Sequence, residues 1–135
     1  MNENGPRIEN QEELKKKILL ADDDESVRVV VEMMLQKFLN CDVVSVADGQ
    51  ELLDKLAEGE KFDLVITDNN MPRMDGIDAL KKMRQNKEFA KTPVILGTAV
   101  LGLGLRRQAE ALGAKCVEKP YSTSNLKDLF DQIFP

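Results

Sequence analysis

Short apolar runs alternate along the chain with longer stretches whose apolar residues recur at helical spacing. The runs Ile18–Ala21, Val43–Val46, Leu64–Thr67, Val94–Gly97 and Cys116–Glu118 are each too short for a helix, and several are β-branched, which predicts five strands. Between the first two, Val27, Val30, Val31, Met34, Leu35 and Phe38 form a stripe that predicts a helix with all six residues in the core. Leu52, Leu53 and Leu56 mark a second helix, and Ile77, Leu80, Lys81 and Arg84 a third. Leu105–Leu112 predicts a fourth, ended by Gly113, and Leu126, Leu129, Phe130 and Ile133 a fifth.

Cap chemistry supports these starts. Asp75 stands just before Gly76 as an N-cap, and Asp48 with Glu51 approximates a capping box for the second helix. Five strand–helix units in series predict an α/β fold: a single doubly wound domain whose parallel sheet carries helices on both faces. The unbroken apolar character of Leu64, Val65 and Ile66 fits a strand covered on both sides. Residues 1–16 are polar and lack either period, which predicts a flexible lead-in before a domain spanning 17–135.

A chain of 135 residues is long enough to bury roughly two-thirds of its unfolded surface without staples. A hydrophobic fraction of 42% and a charged fraction of 32% are ordinary for a globular domain. No run is long enough to insert in a membrane and no secretory signal is visible, so the expected location is cytoplasmic. The net charge of -5 argues against direct nucleic-acid binding. Cys41 and Cys116 lack metal-ligand spacing and read as buried small hydrophobes. The chain has no histidine, which excludes His bases, His-activated nucleophiles and imidazole metal sites. Any histidine chemistry must come from a partner.

The polar residues at the strand ends carry the functional signal. Asp22, Asp23 and Asp24 follow the first strand, Asp68 the third, Thr98 the fourth and Lys119 the fifth. In an open parallel sheet, ligands bind beyond the carboxyl ends of the strands, so these residues predict one acidic pocket. Converging carboxylates repel and require a cation. Magnesium suits them, because it takes oxygen ligands and is commonly held by one or two carboxylates plus a phosphate. A hydroxyl and an ammonium on the same rim match the demands of phosphoryl transfer, where positioning and charge neutralisation do most of the catalysis. An Asp, with an ordinary pKa of about 3.9, is ionised at neutral pH and needs no base to act as nucleophile.

Taken in order, Asp22–Asp23, the loop from Asp68 to Gly76 ending Met-Pro-x-Met-Asp-Gly, Thr98–Ala99 and Lys119–Pro120–Tyr121 resemble the receiver domain of two-component response regulators, a CheY-like family. The resemblance spans Lys17 to Phe134 and implies a flavodoxin-like sheet of order 2-1-3-4-5. It implies that Asp68 accepts a phosphoryl group from a histidine of a partner kinase or histidine phosphotransfer protein. It also implies that Asp23, Asp68 and the Asn70 backbone carbonyl ligate magnesium, with manganese able to substitute and Asp22 acting mainly through water. Lys119 would pair with the acceptor and then the phosphoryl group, and Thr98 would move to a phosphoryl oxygen. Such a chain is a signalling phosphoacceptor rather than an enzyme on external substrates. It would be monomeric or dimerise on phosphorylation, and signal to a downstream protein target.

One position departs from the pattern. Receivers usually carry Tyr or Phe three residues before the rim lysine, where this chain has Cys116. The switch is therefore expected in Thr98 and the 100–105 loop, with Val100, Leu101, Leu103, Cys116 and Tyr121 as candidate switch or partner-surface residues. Asp24 has no matching role and reads as the first helix's cap. The chain ends just after the fifth helix, so no output domain is expected. A flavin or nucleotide binder would want a Gly- or Ser/Thr-rich loop after the first strand, where three aspartates stand. An aspartyl phosphohydrolase would carry a second Asp two residues past the nucleophile, where Asn70 stands. A pseudo-receiver that binds partners without being phosphorylated is the third alternative.

Overall fold

Parallel strands buried on both faces need helices on each side, and these helices arrive where the apolar period places them. The computed structural model describes residues 15–135, so most of the expected lead-in, residues 1–14, lies outside the described residues. In chain order the elements are β1 (Lys17–Ala21), α1 (Glu25–Phe38), β2 (Asp42–Val46), α2 (Gly49–Ala57), β3 (Leu64–Asp68), α3 (Gly76–Gln85), β4 (Val94–Thr98), α4 (Leu103–Ala111), β5 (Lys115–Glu118) and α5 (Thr123–Ile133). All strand pairs are parallel, in the order β2-β1-β3-β4-β5. The expected topology is the observed one.

Alternation along each strand divides the interior into two layers. Leu19, Ala21, Val65, Val94 and Leu96 face one core with Leu52, Leu56, Leu80 and Met83 from α2 and α3. Ile18, Leu20, Leu64, Ile66 and Ile95 face the other with Val31, Leu35 and Leu126 from α1 and α5. Every residue of β3 and β4 is buried, as central strands require.

Side-chain caps set the helix starts. Asp24 accepts from the Ser26 and Val27 N–H groups at the start of α1, and Asp75 from Asp78 N–H at the start of α3. Asp48 caps α2 through Glu51 N–H at 2.8 Å, while the Glu51 carboxylate reaches back to Ala47 N–H at 2.9 Å. Gly113, at φ +80°, ends α4 in the left-handed conformation, and Ala114 N–H closes the turn on the Ala109 carbonyl.

Three sequence expectations are corrected. The stripe of α1 is wider than its contact with the sheet: Val31 and Leu35 are buried, but Val30 is 49% and Phe38 67% exposed. Phe38 is the last residue of α1 and packs in neither core cluster. Helix α4 starts at Leu103, two residues earlier than its apolar residues indicate, because Leu103 and Gly104 take helical backbone while remaining exposed. Cys41 is buried, and burial pushes its thiol up to about 11, but Cys116 on edge strand β5 is only half-buried. We therefore expect Leu35→Ala to cost about 2–5 kcal/mol by urea denaturation, and Phe38→Ala to stay within about 0.5 kcal/mol of the parent protein.

Candidate functional site

Strand register gathers the polar residues at one edge. Ala21 pairs with Thr67, so Asp22 and Asp68 leave adjacent strands side by side. Asp68 pairs with Gly97 and Thr98 with Glu118, and Lys119 N–H donates to the Thr98 carbonyl at 2.8 Å. The edge therefore presents Asp22, Asp68, Thr98 and Lys119 together, and Asp23 adjoins them from the β1–α1 turn.

Lys119 lies between the two buried carboxylates. Its Nζ is 2.8 Å from Asp22 Oδ2 and 3.3 Å from Asp68 Oδ2. The other Asp22 oxygen accepts from Asp24 N–H at 2.9 Å, and Arg28 donates to the Asp22 backbone carbonyl at 2.6 Å. Asp23 is exposed, and one oxygen from each of Asp22, Asp23 and Asp68 lies within 4.8 Å of the other two. Three hard anionic oxygens at this spacing fit a magnesium-sized cation.

The electrostatics reflect burial against compensation. Burial pushes the Asp68 carboxyl above its ordinary value; Lys119 and the Asn70 N–H pull it down, while the neighbouring Asp22 charge adds to the rise. For Lys119, burial acts downward, but the hydrogen bond and charge of Asp22, with the charge of Asp68, outweigh it and hold the ammonium above the usual lysine range. A carboxylate of raised basicity beside a fixed ammonium is a competent nucleophile.

The loops complete the rim. Asn69 accepts from Ile77 N–H at 3.0 Å through its side chain and from Gly76 N–H at 2.9 Å through its carbonyl, docking the β3–α3 loop on the start of α3. Gly76 is required there, since a Cβ would sit 2.5 Å from the Asp68 carbonyl oxygen. Asn70 is exposed, two residues past Asp68. Thr98 is buried and its hydroxyl donates to the Val100 carbonyl at 3.3 Å, so it is engaged by its own loop. Val100 and Leu103 are exposed at 77% and 61%, while Leu101 is half-buried and Leu105 packs on the core.

Tyr121, expected on the switch or partner surface, is instead buried in the α1–α5 core. Its ring fills the space left by Gly97, where a Cβ would meet the hydroxyl oxygen at 2.2 Å. That hydroxyl has no hydrogen-bond partner among the described residues, and burial, with the nearby Asp68 and Asp22 charges, pushes its pKa far up. Sequence patterns do not reveal Arg28, Arg73 or Glu118, which touch the site's backbone or loops. Each depends on proximity that only the fold creates.

Fold and edge together define an open doubly wound α/β domain with a carboxylate–lysine cluster at its topological switch point. The family model for the response regulator receiver domain matches residues 18–131. The chain belongs to that family. It is 35% identical over 119 residues to the chemotaxis protein CheY-3 of Vibrio cholerae, covering 87% of this chain and 91% of that protein. Among solved structures, the response regulator CheY4 of Vibrio cholerae matches with a TM-score of 0.79 at 31% identity, covering 88% of this chain and 98% of that one. The receiver domain of the sensor histidine kinase PA1611 from Pseudomonas aeruginosa, solved with magnesium coordinated in its active-site cleft, matches with a TM-score of 0.79 at 28% identity, covering 90% and 99%.

Two stability measurements check this account. The raised Asp68 carboxyl means that the folded state holds a proton more tightly than the unfolded chain. Its contribution to stability is therefore greatest below the unfolded carboxyl's range and is lost as pH rises through the folded one. Asp68→Asn should melt higher than the parent at neutral pH, and the gain should shrink as pH falls through the carboxylate range. Removing an unpartnered buried hydroxyl in Tyr121→Phe should stabilise by about 1 kcal/mol in urea denaturation.

Proposed function

We propose that this receiver domain is a phosphorylation switch in which Asp68 accepts a phosphoryl group from a histidine of a partner kinase or histidine phosphotransfer protein. The observation that carries the reading is the buried Asp68 carboxylate held 3.3 Å from the Lys119 ammonium within the three-carboxylate cluster. An Asp68 carboxylate oxygen attacks phosphorus; the new O–P bond forms as the donor's P–N bond breaks, and the imidazole leaves with the electron pair. The chain's lack of histidine fits a donor supplied in trans.

Asp23, Asp68 and the Asn70 carbonyl would hold magnesium or manganese directly, with Asp22 contributing through water. Both Asp22 oxygens already accept hydrogen bonds, which favours that indirect role. When bound, the cation supplies charge that offsets the approach of two anions. Lys119 neutralises the acceptor beforehand and the phosphoryl oxygens afterwards. The acyl phosphate adds roughly 1.5–2 negative charges and three acceptor oxygens, enough to draw the Thr98 hydroxyl from the Val100 carbonyl. Leu101 N–H is held by the Glu118 carboxylate at 3.0 Å, so a shift of Thr98 would reach β5 through that contact. With Cys116 in place of an aromatic, the loop bearing Val100 and Leu103 carries the change to a downstream protein target. The setting consistent with these partners is the cytoplasm.

Incubation with acetyl phosphate and magnesium, followed by intact-mass measurement, tests the reading. Wild type should gain the mass of one phosphoryl group, Asp68→Asn should gain none, and Lys119→Ala should be labelled slower by on the order of a hundredfold. An unmodified wild type under all donors would instead identify a pseudo-receiver acting by binding alone.

A further inference from the structure

The β3–α3 loop is fastened on a second side, at the start of α2, by contacts that the cluster chemistry does not require. Arg73 has φ +67°, the left-handed region that non-glycine residues occupy only with strain. Its Nε donates to Asp48 Oδ2 at 2.9 Å, and its Nη2 lies 3.8 Å from Glu51 Oε2. Asp48 is a buried carboxylate, 7% exposed at the side chain, whose other oxygen caps α2. Arg73 is the first cause holding the Asp48 carboxyl below the usual range. The next residue, Met74, accepts from Gly49 N–H at 3.2 Å, and a Cβ on Gly49 would lie 2.5 Å from that carbonyl oxygen. The loop therefore presses backbone to backbone on the α2 start, locked by one ion pair.

Asn70 lies between this fastening and the Asn69 anchor on α3. Asn69 accepts from the Ile77 and Gly76 N–H groups on one side of it and Met74 accepts from the Gly49 N–H on the other, so its peptide orientation is tied to the loop path on both sides. A glycine at 73 would adopt the same backbone without strain, yet the chain places there a side chain long enough to reach Asp48. We propose that Arg73 is a positioning residue for the cation site: its ion pair with Asp48 fixes the acceptor loop on α2 and thereby orients the Asn70 peptide beside Asp22, Asp23 and Asp68. The inference rests on the reading of that cluster as a magnesium site.

Magnesium titration followed by amide chemical shifts, with a thermal melt of each variant, tests it on the full chain. Arg73→Gly removes the ion pair, which lowers the melting point, and the backbone strain, which raises it, so the deciding readout is the magnesium dissociation constant, which should rise on the order of tenfold whatever the melt does. A purely structural role would move the melt and leave the affinity alone. Arg73→Lys should recover part of the loss. Asp48→Asn, which can still cap α2, should weaken magnesium to a similar extent, and the double variant Asp48→Asn/Arg73→Gly should be no weaker than either alone. Wild-type affinity in Arg73→Gly, or fully additive losses in the double variant, would overturn the assignment. Failure of the wild type to bind magnesium would overturn the functional reading beneath it, and the inference with it.

Discussion

The rest of the carboxyl edge depends on one ammonium held between two buried carboxylates. Two like unit charges about 4 Å apart near a protein surface repel by about 4 kcal/mol. Asp22 has no exposed surface and Asp68 almost none, so solvent screens that repulsion weakly. Lys119 offsets it by touching both. Three carboxylates against one ammonium still leave a surplus of two negative charges, the complement of one divalent cation. The arrangement is tolerable in the folded domain because Lys119 is present, and poised for a cation because Lys119 alone does not suffice.

Much of this was legible in the chain because parallel sheets write themselves plainly. β3 and β4 are buried on both faces, so Leu64–Ile66 and Val94–Leu96 appear as unbroken apolar runs, and the residues that follow fall at the carboxyl edge. Asp22, Asp68, Thr98 and Lys119 could be placed together from order alone. Exposure was harder. Val30 and Phe38 share a helical stripe with Val31 and Leu35, but periodicity reports direction, not whether another element lies there. Arg73–Asp48, Glu118–Leu101 and Tyr121–Gly97 join residues 25, 17 and 24 positions apart, through pairings set by loop path and side-chain length.

The Tyr121–Gly97 contact shows how the sheet edge is filled. Asp68 pairs in register with Gly97, so a side chain on Gly97 would compete for the space beside β3. The Tyr121 ring enters that space from the chain just past Lys119, tying the path that delivers the lysine to the strand beside Asp68. The unpartnered hydroxyl is the penalty of filling a gap beneath an acidic cluster with a phenol. Shape here is satisfied before polarity.

The loops around the site are unequally held, and the inequality has a direction. The β3–α3 loop has backbone bonds to both flanking helices, a side-chain bond from Asn69, an ion pair to buried Asp48, and two glycines that admit close approach. The β4–α4 loop has a 3.3 Å hydroxyl contact within itself, one amide on an exposed Glu118, and a cap residue, Gly102, that gives the helix starting at Leu103 no side-chain cap. Its glycines, Gly102 and Gly104, face open space. Restraint sets how much free energy a segment needs to change conformation, so a charge added at Asp68 meets a stiff wall toward α2 and α3 and a soft one toward α4. On the proposed reading, a cluster built this way would keep its reacting groups in place and yield first where Val100 and Leu103 are exposed.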